Sequence, residues 1–451
     1  MTILSAQYKK QHMQKKLVFG LGQTGLSCVR FLVREGYEVA VFDTREHPPL
    51  IEELYREFPH VEVTLKSVSD VLFDDVDQVV LSPGICLKSP ALRIAYERNI
   101  EIVGDIELFA LNVKAPVIAI TGSNGKTTTT TLVGEIFRRA GLNVEVGGNI
   151  GTPVLELLEK SAPDYYILEL SSFQLETTKN LKPAVAVVLN ISADHMDRYD
   201  DLDDYADAKL SVLDGASNKV INLDDDWLKE QLSDLGAYVG FTEKTPTENS
   251  YGLMMSDEVL WISSGARKIC NTESIKLQGR HQLMNAVAAV AIADICSVEQ
   301  KIICQVLNDF DGLAHRTQFV ASVDDVTYIN DSKGTNVGAT VAAINGFDSN
   351  IILLAGGDGK GANFEGLADA AKNKVQYAIL FGRDAGQIEK AIAQATTVIR
   401  AVSLDAAVKQ AHELAVAGDT VLLSPACASF DMFDSYQQRG DVFMEIVRGL
   451  K

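Results

Sequence analysis

The stretch Ala115-Pro-Val-Ile-Ala-Ile-Thr-Gly-Ser-Asn-Gly-Lys-Thr-Thr decides the fold of this chain. The run from Val117 to Ile120 is apolar and β-branched, which predicts a short buried strand. Gly122 and Gly125 interrupt the run, and apolar residues then recur at helical spacing at Leu132, Val133, Ile136 and Phe137. A strand, a glycine-containing loop and a helix in this order predict a phosphate-binding loop.

The side chains that follow the loop fit nucleotide chemistry. Lys126 is expected to reach the β- and γ-phosphates, and the Thr127 hydroxyl is expected to contact Mg²⁺. The loop is shorter than the GxxxxGK[ST] pattern, because Ile120 stands where that pattern has its first glycine. The strand–loop–helix context still favours nucleotide binding.

A second glycine motif lies upstream. Gly20, Gly22 and Gly25 fit G-x-G-x-x-G after a strand ending at Phe19, and a second strand ends in Asp43. Taken alone, this fingerprint predicts an NAD-dependent enzyme. The chemistry of the motif does not select NAD, however. A tight turn at a helix N-terminus and a ribose-binding carboxylate suit any nucleoside diphosphate.

Strands and helices alternate along the chain, which predicts an α/β protein with three domains. We expect a Rossmann-like domain over 1–104, a P-loop ATPase-like domain over 105–312 and a second Rossmann-like domain over 313–451. Glu169 and His195 lie at or just past strand ends, where ligands bind in α/β sheets. Residues 227–275 are polar and weakly patterned, which predicts short antiparallel strands or a flap.

Composition limits the partners. With 41 basic and 61 acidic residues among 451, the formal net charge is −20, which disfavours a nucleic-acid partner. No apolar run approaches the roughly 20 residues that span a bilayer, and the N-terminus lacks a signal-peptide pattern. The six cysteines are scattered without a CxxC pair, which predicts reduced thiols in a cytoplasmic protein.

Several motifs accompany the phosphate loop: Glu169-Leu-Ser-Ser-Phe-Gln, Asn190-Ile-Ser-Ala-Asp-His, His315-Arg, Asn330-Asp-Ser-Lys-Gly-Thr-Asn and Gly356-Gly-Asp-Gly-Lys. In combination they resemble the ATP-dependent Mur ligases across nearly the whole chain. Val103-Gly-Asp-Ile-Glu-Leu-Phe and Ser424-Pro-Ala-Cys-Ala-Ser are similar to the branch that adds D-glutamate to UDP-N-acetylmuramoyl-L-alanine. The resemblance implies a monomer that forms an amide through an acyl phosphate, as a step of peptidoglycan precursor synthesis.

The resemblance also implies site residues. The expected ATP contacts are Gly122, Ser123, Asn124, Gly125, Lys126, Thr127, Thr128, Asn285, Arg316 and Asp331. The expected UDP-substrate contacts are Gly20, Leu21, Gln23, Thr24, Asp43, Thr44, Ser82, Pro83, Gly84 and Asn149. The expected D-glutamate contacts are Lys333, Thr335, Lys360, Ser429 and Phe430.

The implied catalytic set is Lys126, Glu169, His195 and Lys209, and the implied Mg²⁺ ligands are Thr127, Glu169, His195 and a carbamylated Lys209. Carbamylation requires an unprotonated amine, so Lys209 is expected to be partly buried. The chain departs from the family pattern at Gln282, where asparagine is usual, and at Tyr436, where phenylalanine is usual.

Three alternatives remain open at this point. The first is another ligase of the same superfamily, adding a different amino acid or glutamating folate. The second is a nicotinamide oxidoreductase joined to an ATP-binding module, and the third is a non-catalytic nucleotide sensor. The complete set of Lys126, Glu169, His195 and Lys209 argues against a sensor.

Overall fold

The computed structural model describes residues 14–450, and internal contacts divide the chain into two compact units. Unit 1 contains the chain up to Thr121, Gly141–Val188 and Tyr205–Lys219. Unit 2 contains Gly122–Ala140, Leu189–Asp204 and the chain from Val220 onward. The division therefore passes through the middle segment of the chain.

Unit 1 begins with a parallel five-stranded sheet in the order β3-β2-β1-β4-β5. Its strands are β1 (Lys15–Phe19), β2 (Glu38–Asp43), β3 (Glu62–Leu65), β4 (Val76–Leu81) and β5 (Glu101–Val103). Its helices are α1 (Gln23–Arg34), α2 (Ile51–Glu57) and α3 (Arg93–Glu97), with 3₁₀ turns at Asp70–Phe73 and Pro90–Leu92. Because β1 lies between β2 and β4, the loops that follow these three strands meet at one edge of the sheet.

Unit 1 continues with four parallel strands in the order β9-β6-β8-β7. These strands are β6 (Val117–Thr121), β7 (Val144–Gly148), β8 (Tyr165–Glu169) and β9 (Val185–Val188). The helices along this stretch of sequence are α4 (Asp105–Asn112), α5 (Lys126–Arg139), α6 (Val154–Leu157), α7 (Ser172–Leu175) and α8 (Leu202–Leu210), with a 3₁₀ turn at Ser211–Leu213. The predicted strand–loop–helix is confirmed, since β6 ends at Thr121 and α5 begins at Lys126.

Unit 2 contains a second group of strands, of which β10, β11 and β12 pair in parallel and β12, β13 and β14 pair antiparallel. These strands are β10 (Lys219–Asn222), β11 (Val239–Phe241), β12 (Ser250–Ser256), β13 (Val259–Ser264) and β14 (Arg267–Asn271). The helices are α9 (Asp226–Gln231), α10 (Arg280–Ile295) and α11 (Gln300–Asp309). The antiparallel strands expected within 227–275 are therefore present.

The rest of unit 2 is built on a six-stranded sheet in the order β15-β16-β20-β17-β18-β19, in which only β15 is antiparallel. Its strands are β15 (Gln318–Val323), β16 (Val326–Asn330), β17 (Ile351–Gly356), β18 (Val375–Phe381), β19 (Thr397–Arg400) and β20 (Thr420–Leu423). Its helices are α12 (Val337–Asn345), α13 (Gly366–Ala371), α14 (Ala385–Ile392), α15 (Leu404–Leu414) and α16 (Tyr436–Arg448). The neighbouring strands β16, β20 and β17 bring the loops after them to one edge.

The cysteines differ from the expectation of reduced thiols. Cys270 on β14 and Cys304 on α11 form a disulfide, with their Cα atoms 5.4 Å apart and 34 positions apart in sequence. Such a pair leaves no local spacing signal, because the fold alone brings the two elements together. Cys28, Cys86, Cys296 and Cys427 are not part of a disulfide. Among the helices of residues 14–450, none is both long enough and apolar enough to cross a membrane.

Candidate nucleotide and substrate sites

The phosphate loop itself lies in unit 2, at the N-terminus of α5. Gly122 and Gly125 have φ values of 150° and 83°, which disfavour residues with a Cβ atom. The Lys126 ammonium donates to the Gly122 carbonyl at 2.6 Å and to the Ser123 carbonyl at 2.9 Å. The lysine therefore folds back over its own loop, at the place where phosphates are expected.

The loop is fixed by the segment that follows β9. The Asn124 N–H donates to the Asn190 side-chain oxygen at 2.8 Å, and the Asn190 amide donates to the Asn124 carbonyl at 3.1 Å. The Ser123 hydroxyl donates to the Ser192 carbonyl at 2.9 Å and accepts from the Ser192 N–H at 2.9 Å. Asn190 and Ser192 thus hold the loop in shape from outside the motif.

One pocket of unit 2 joins most of the predicted ATP contacts. Its lining includes Asn124, Gly125, Thr128, His281, Gln282, Asn285, Arg316, Asp331 and Lys333. A Cβ atom on Gly125 would lie 2.3 Å from the Asn285 side-chain oxygen, so only glycine permits this approach. Lys333, expected to contact D-glutamate, lines the same pocket as the nucleotide residues.

Arg316 and Asp331 complete this pocket. The Arg316 guanidinium donates to the Thr127 hydroxyl at 2.7 Å. Asp331 is buried and accepts from the Thr317 N–H at 3.1 Å and from the Ser424 hydroxyl at 2.7 Å. Burial raises the pKa of Asp331 to about 6, against the opposing effect of these hydrogen bonds.

His195, like Thr127, is a predicted metal ligand that lies in unit 2. Its backbone has a φ of 58°, and its Nε2 atom lies 3.8 Å from the Asp194 carboxylate. Partial burial lowers the pKa of His195, and the positive charges of Lys360 and Lys126 act in the same direction. A lowered pKa favours the neutral imidazole, which is the form that binds metal ions.

Three of the predicted D-glutamate contacts, Lys360, Ser429 and Phe430, lie on two neighbouring loops. Asp358 and Ala428 exchange backbone hydrogen bonds at 2.9 Å, which pairs the loop after β17 with the loop after β20. The Lys360 ammonium consequently lies 6.0 Å from the Phe430 ring centroid, and Ser429 is buried beside Phe430. Thr335 follows β16, where its N–H donates to the Lys333 carbonyl.

Glu169, a predicted metal ligand, and Asn149, a predicted substrate contact, lie at the ends of the neighbouring strands β8 and β7 of unit 1. The Asn149 N–H donates to the Glu169 carbonyl at 2.8 Å, and the Asn149 amide donates to Oε1 of Glu169 at 2.8 Å. Glu169 is only 2% exposed, and its Oε2 atom has no hydrogen-bond partner among residues 14–450. A buried carboxylate oxygen without a donor suits a bound cation.

Lys209 is buried as predicted. It lies on α8, is 1% exposed, and places its ammonium 4.6 Å from the Tyr205 ring centroid. This burial meets the structural condition that the predicted carbamate set for Lys209.

The predicted UDP-substrate contacts of unit 1 follow β1, β2 and β4. The Ser82 hydroxyl donates to the Gly20 carbonyl at 2.9 Å, while Pro83 and Gly84 continue that loop. Asp43 accepts from the Leu21 N–H at 2.7 Å and is followed by Thr44. Gln23 and Thr24 form the first turn of α1.

Arg45 contributes to this site, although no sequence motif pointed to it. Its guanidinium donates to both Asp43 oxygens, at 2.8 and 2.6 Å. Burial alone would raise the pKa of Asp43, but hydrogen bonds from Arg45 and Leu21 outweigh it and lower that pKa. The available signal was a basic residue two positions after the fingerprint carboxylate.

Asn336 ends the motif that begins at Asn330, but the sequence assigned no role to it. Its amide donates to Asp194 at 2.9 Å and to the Asn124 side chain at 3.3 Å, next to the phosphate loop. Its place within that motif was the available signal. Within residues 14–450, no group of three or more His, Cys, Asp or Glu side chains is arranged to hold a metal ion.

Comparison with known proteins agrees with this geometry. Three family models match: the Mur ligase MurD-like N-terminal domain over 14–104, the Mur ligase middle domain over 120–293 and the Mur ligase glutamate ligase domain over 315–427. A curated relative, the UDP-N-acetylmuramoylalanine–D-glutamate ligase of Marinobacter nauticus, is 47% identical over 97% of this chain and 98% of its own length.

Solved structures share the fold at lower identity. A pseudomurein peptide ligase type C from Methanothermus fervidus has a TM-score of 0.60 at 20% identity, covering 97% of this chain and all of that one. The MurF ligase of Thermotoga maritima in complex with ADP has a TM-score of 0.57 at 15% identity, covering 98% of this chain and 96% of that one. With three matched domains and a full-length relative of this similarity, the chain belongs to the Mur ligase family.

Proposed function

We propose that this protein is an ATP-dependent ligase that joins D-glutamate to UDP-N-acetylmuramoyl-L-alanine, with release of ADP and phosphate, in peptidoglycan precursor synthesis. The observation that carries the proposal is the nucleotide pocket, in which the phosphate loop meets Asn285, Arg316 and Asp331. The 47% identical relative, which bears the name of this activity, supports the choice of amino acid.

The nucleotide is proposed to be ATP, bound along the N-terminus of α5. Backbone N–H groups of residues 122–128 bind phosphate oxygens there, and Lys126 exchanges its bonds to the loop carbonyls for bonds to phosphate. The ADP held by the MurF ligase of Thermotoga maritima, which shares this fold, supports the choice of nucleotide. Phosphoryl transfer depends chiefly on position and on charge neutralisation, which these groups supply.

The proposed metal is Mg²⁺, and one observation on each of two separate residues supports it. The buried Oε2 atom of Glu169 lacks a donor among residues 14–450, and the lowered pKa of His195 keeps its imidazole able to bind a cation. Thr127, Glu169, His195 and Lys209, the last as a carbamate, are the proposed ligands. A bound Mg²⁺ would neutralise charge on the phosphates during transfer.

The other two substrates are assigned to the remaining strand-end loops. The loops after β1, β2 and β4 are proposed to bind the UDP group through Gly20, Leu21, Asp43 and Ser82, with Arg45 beside them. The ammonium and hydroxyl groups of Lys360, Thr335 and Ser429 suit a dicarboxylate such as D-glutamate.

The proposed reaction has two steps. The substrate carboxylate attacks the γ-phosphorus of ATP, the bond to the β-phosphate oxygen breaks, and an acyl phosphate forms with ADP. The D-glutamate amine then attacks the acyl carbon, and the tetrahedral intermediate expels phosphate as the amide forms and the amine loses its proton. This chain binds the groups, aligns them and neutralises their charge.

Three further assignments belong to the proposal. We place the domain boundaries near 104/105 and 312/313, which lie between the matched family domains. We propose that the protein acts as a monomer. We also propose that it acts in the cytoplasm, where ATP is supplied.

The experiment that tests the function is an ADP-release assay over a panel of amino acids. With ATP, Mg²⁺ and UDP-N-acetylmuramoyl-L-alanine, we expect turnover with D-glutamate and none with L-glutamate, L-alanine or a diamino acid. Turnover with another amino acid would reassign the chain within the family. Binding of NAD(P)H without ADP release would overturn the proposal.

A further inference from the structure

Arg316 stands between two residues with an uncommon backbone conformation. His315 has a φ of 61° and Thr317 a φ of 48°, and both side chains are buried, at 7% and 3% exposure. A β-branched residue with positive φ is strained, and such a conformation persists only where the surroundings hold it. The contacts of Thr317 therefore show what fixes this segment.

The Thr317 hydroxyl has two partners on helix α10. Its oxygen lies 2.8 Å from Nε2 of His281 and accepts from the Gln282 amide at 3.4 Å. The Thr317 side chain also hydrogen-bonds the Asp331 carboxylate, so the hydroxyl joins helix α10 to the loop that follows β16. Burial lowers the pKa of His281 to about 4, so its imidazole is neutral near pH 7.

The backbone of the segment is held from the other side. The Thr317 N–H donates to Asp331 at 3.1 Å, and the Asn330 amide lies 3.0 Å from Nδ1 of His315. Arg316, between these anchors, donates to the Thr127 hydroxyl at 2.7 Å. The guanidinium thus reaches the phosphate loop from a backbone fixed on both flanks.

We propose that Thr317 is a positioning residue for ATP, whose hydroxyl ties the segment carrying Arg316 to His281 and Gln282 and so holds the guanidinium at the phosphate loop. This inference rests on the proposed function, because it assigns Arg316 to the nucleotide. Gln282, the departure from the family pattern, acquires a role as a partner of Thr317. Without the hydroxyl, Arg316 keeps its charge but loses its fixed direction.

The test compares Thr317→Val, which keeps the shape and removes the hydroxyl, with Thr317→Ser, which keeps the hydroxyl. We expect the KM for ATP to rise about tenfold in Thr317→Val and to return to within threefold of the original in Thr317→Ser. The KM for the UDP substrate should change less than twofold. Thr396→Val, which removes the hydroxyl bond to the Val375 carbonyl, is the matched control and should leave the KM for ATP unchanged.

A double variant separates positioning from a general structural effect. If Thr317 acts through Arg316, then Arg316→Ala with Thr317→Val should bind ATP no more weakly than Arg316→Ala alone, as measured by calorimetry. An equal additional loss in the double variant would overturn the inference, as would a KM in Thr317→Val within twofold of the original. If Thr317→Val does not fold, Thr317→Ala removes the hydroxyl without a β-branch and takes its place. Absence of ADP release by the unaltered protein would instead reject the proposed function.

Discussion

Glu169→Gln separates a metal ligand from an ordinary buried carboxylate, because the two oxygens of Glu169 differ. Oε1 accepts from Asn149 at 2.8 Å, whereas the buried Oε2 has no donor among residues 14–450. An unsatisfied buried polar group costs about 1–3 kcal/mol, and more when it is charged. In the absence of Mg²⁺, the neutral amide should therefore raise the free energy of unfolding by about 1 kcal/mol.

Activity should change in the opposite direction. Loss of a charged ligand to Mg²⁺ is expected to lower kcat by at least about 100-fold, which corresponds to about 3 kcal/mol of transition-state stabilisation. If Glu169 binds the metal, Mg²⁺ should raise the thermal midpoint of the original protein but not that of the variant. The measurements are urea unfolding with and without Mg²⁺ and the rate of ADP release.

Glu107→Gln is the matched control. Glu107 is 3% exposed, as buried as Glu169, but its Oε2 accepts from the N–H groups of Lys179 and Asn180 at 2.7 and 2.9 Å. Replacing these charge-assisted bonds should destabilise the protein by about 2 kcal/mol and leave the effect of Mg²⁺ intact. If Glu169→Gln destabilises the protein as Glu107→Gln does and keeps the response to Mg²⁺, the metal assignment is refuted.

Three other changes give separate tests. Gly25→Ala would place a Cβ atom 1.8 Å from the Gly20 carbonyl oxygen, so urea unfolding should show a loss of about 3 kcal/mol of stability. Gly22→Ala is the control, because a Cβ atom there has nothing within 4 Å, and it should cost under about 1 kcal/mol. Equal losses in the two variants would contradict the packing argument. Burial raises the pKa of Asp105 to about 6, above its value in the unfolded chain. The contribution of Asp105 to folding stability is therefore fully present below about pH 4 and is lost as the pH rises to about 6. The free energy of unfolding should therefore fall between pH 4 and 7, and Asp105→Asn should remove up to about 3 kcal/mol of that decrease. Parallel curves of unfolding free energy against pH for the two proteins would contradict this prediction. Lys209→Ala should abolish most ADP release and recover part of it with added formate or acetate; undiminished turnover would exclude a carbamate at Lys209.

The elements that carry the site could be predicted from sequence because their signals are local. The run from Val117 to Ile120 and the apolar spacing after Gly125 correctly predicted β6 and α5. The fingerprint at Gly20 likewise predicted β1, α1 and β2, with Asp43 as the last residue of its strand. The period of the apolar residues and the positions of the glycines determine such elements, and both can be recognised within a window of about 20 residues.

Long-range pairings could not be predicted in this way. The Cys270–Cys304 disulfide joins elements 34 positions apart, and the Arg316–Thr127 hydrogen bond spans 189 positions. Neither pair leaves a periodic trace, because each depends on how two elements pack. Burial of Lys209 was expected only from the family resemblance, since a helical lysine is usually exposed.

The two glycine loops show why a glycine pattern does not by itself decide the ligand class. Gly25 is required because a Cβ atom there would collide with the Gly20 carbonyl, a condition of strand–helix packing that holds whatever nucleotide is bound. Asp43 is likewise engaged by Leu21 and Arg45, so its carboxylate shapes the loop before any ribose is considered. In the shorter loop, by contrast, Gly125 admits the side chain of Asn285, a residue outside the motif that faces the nucleotide pocket. A glycine pattern therefore indicates where the backbone of a loop lies close to other atoms of the protein. The side chains that line the space next to the loop determine which ligand fits.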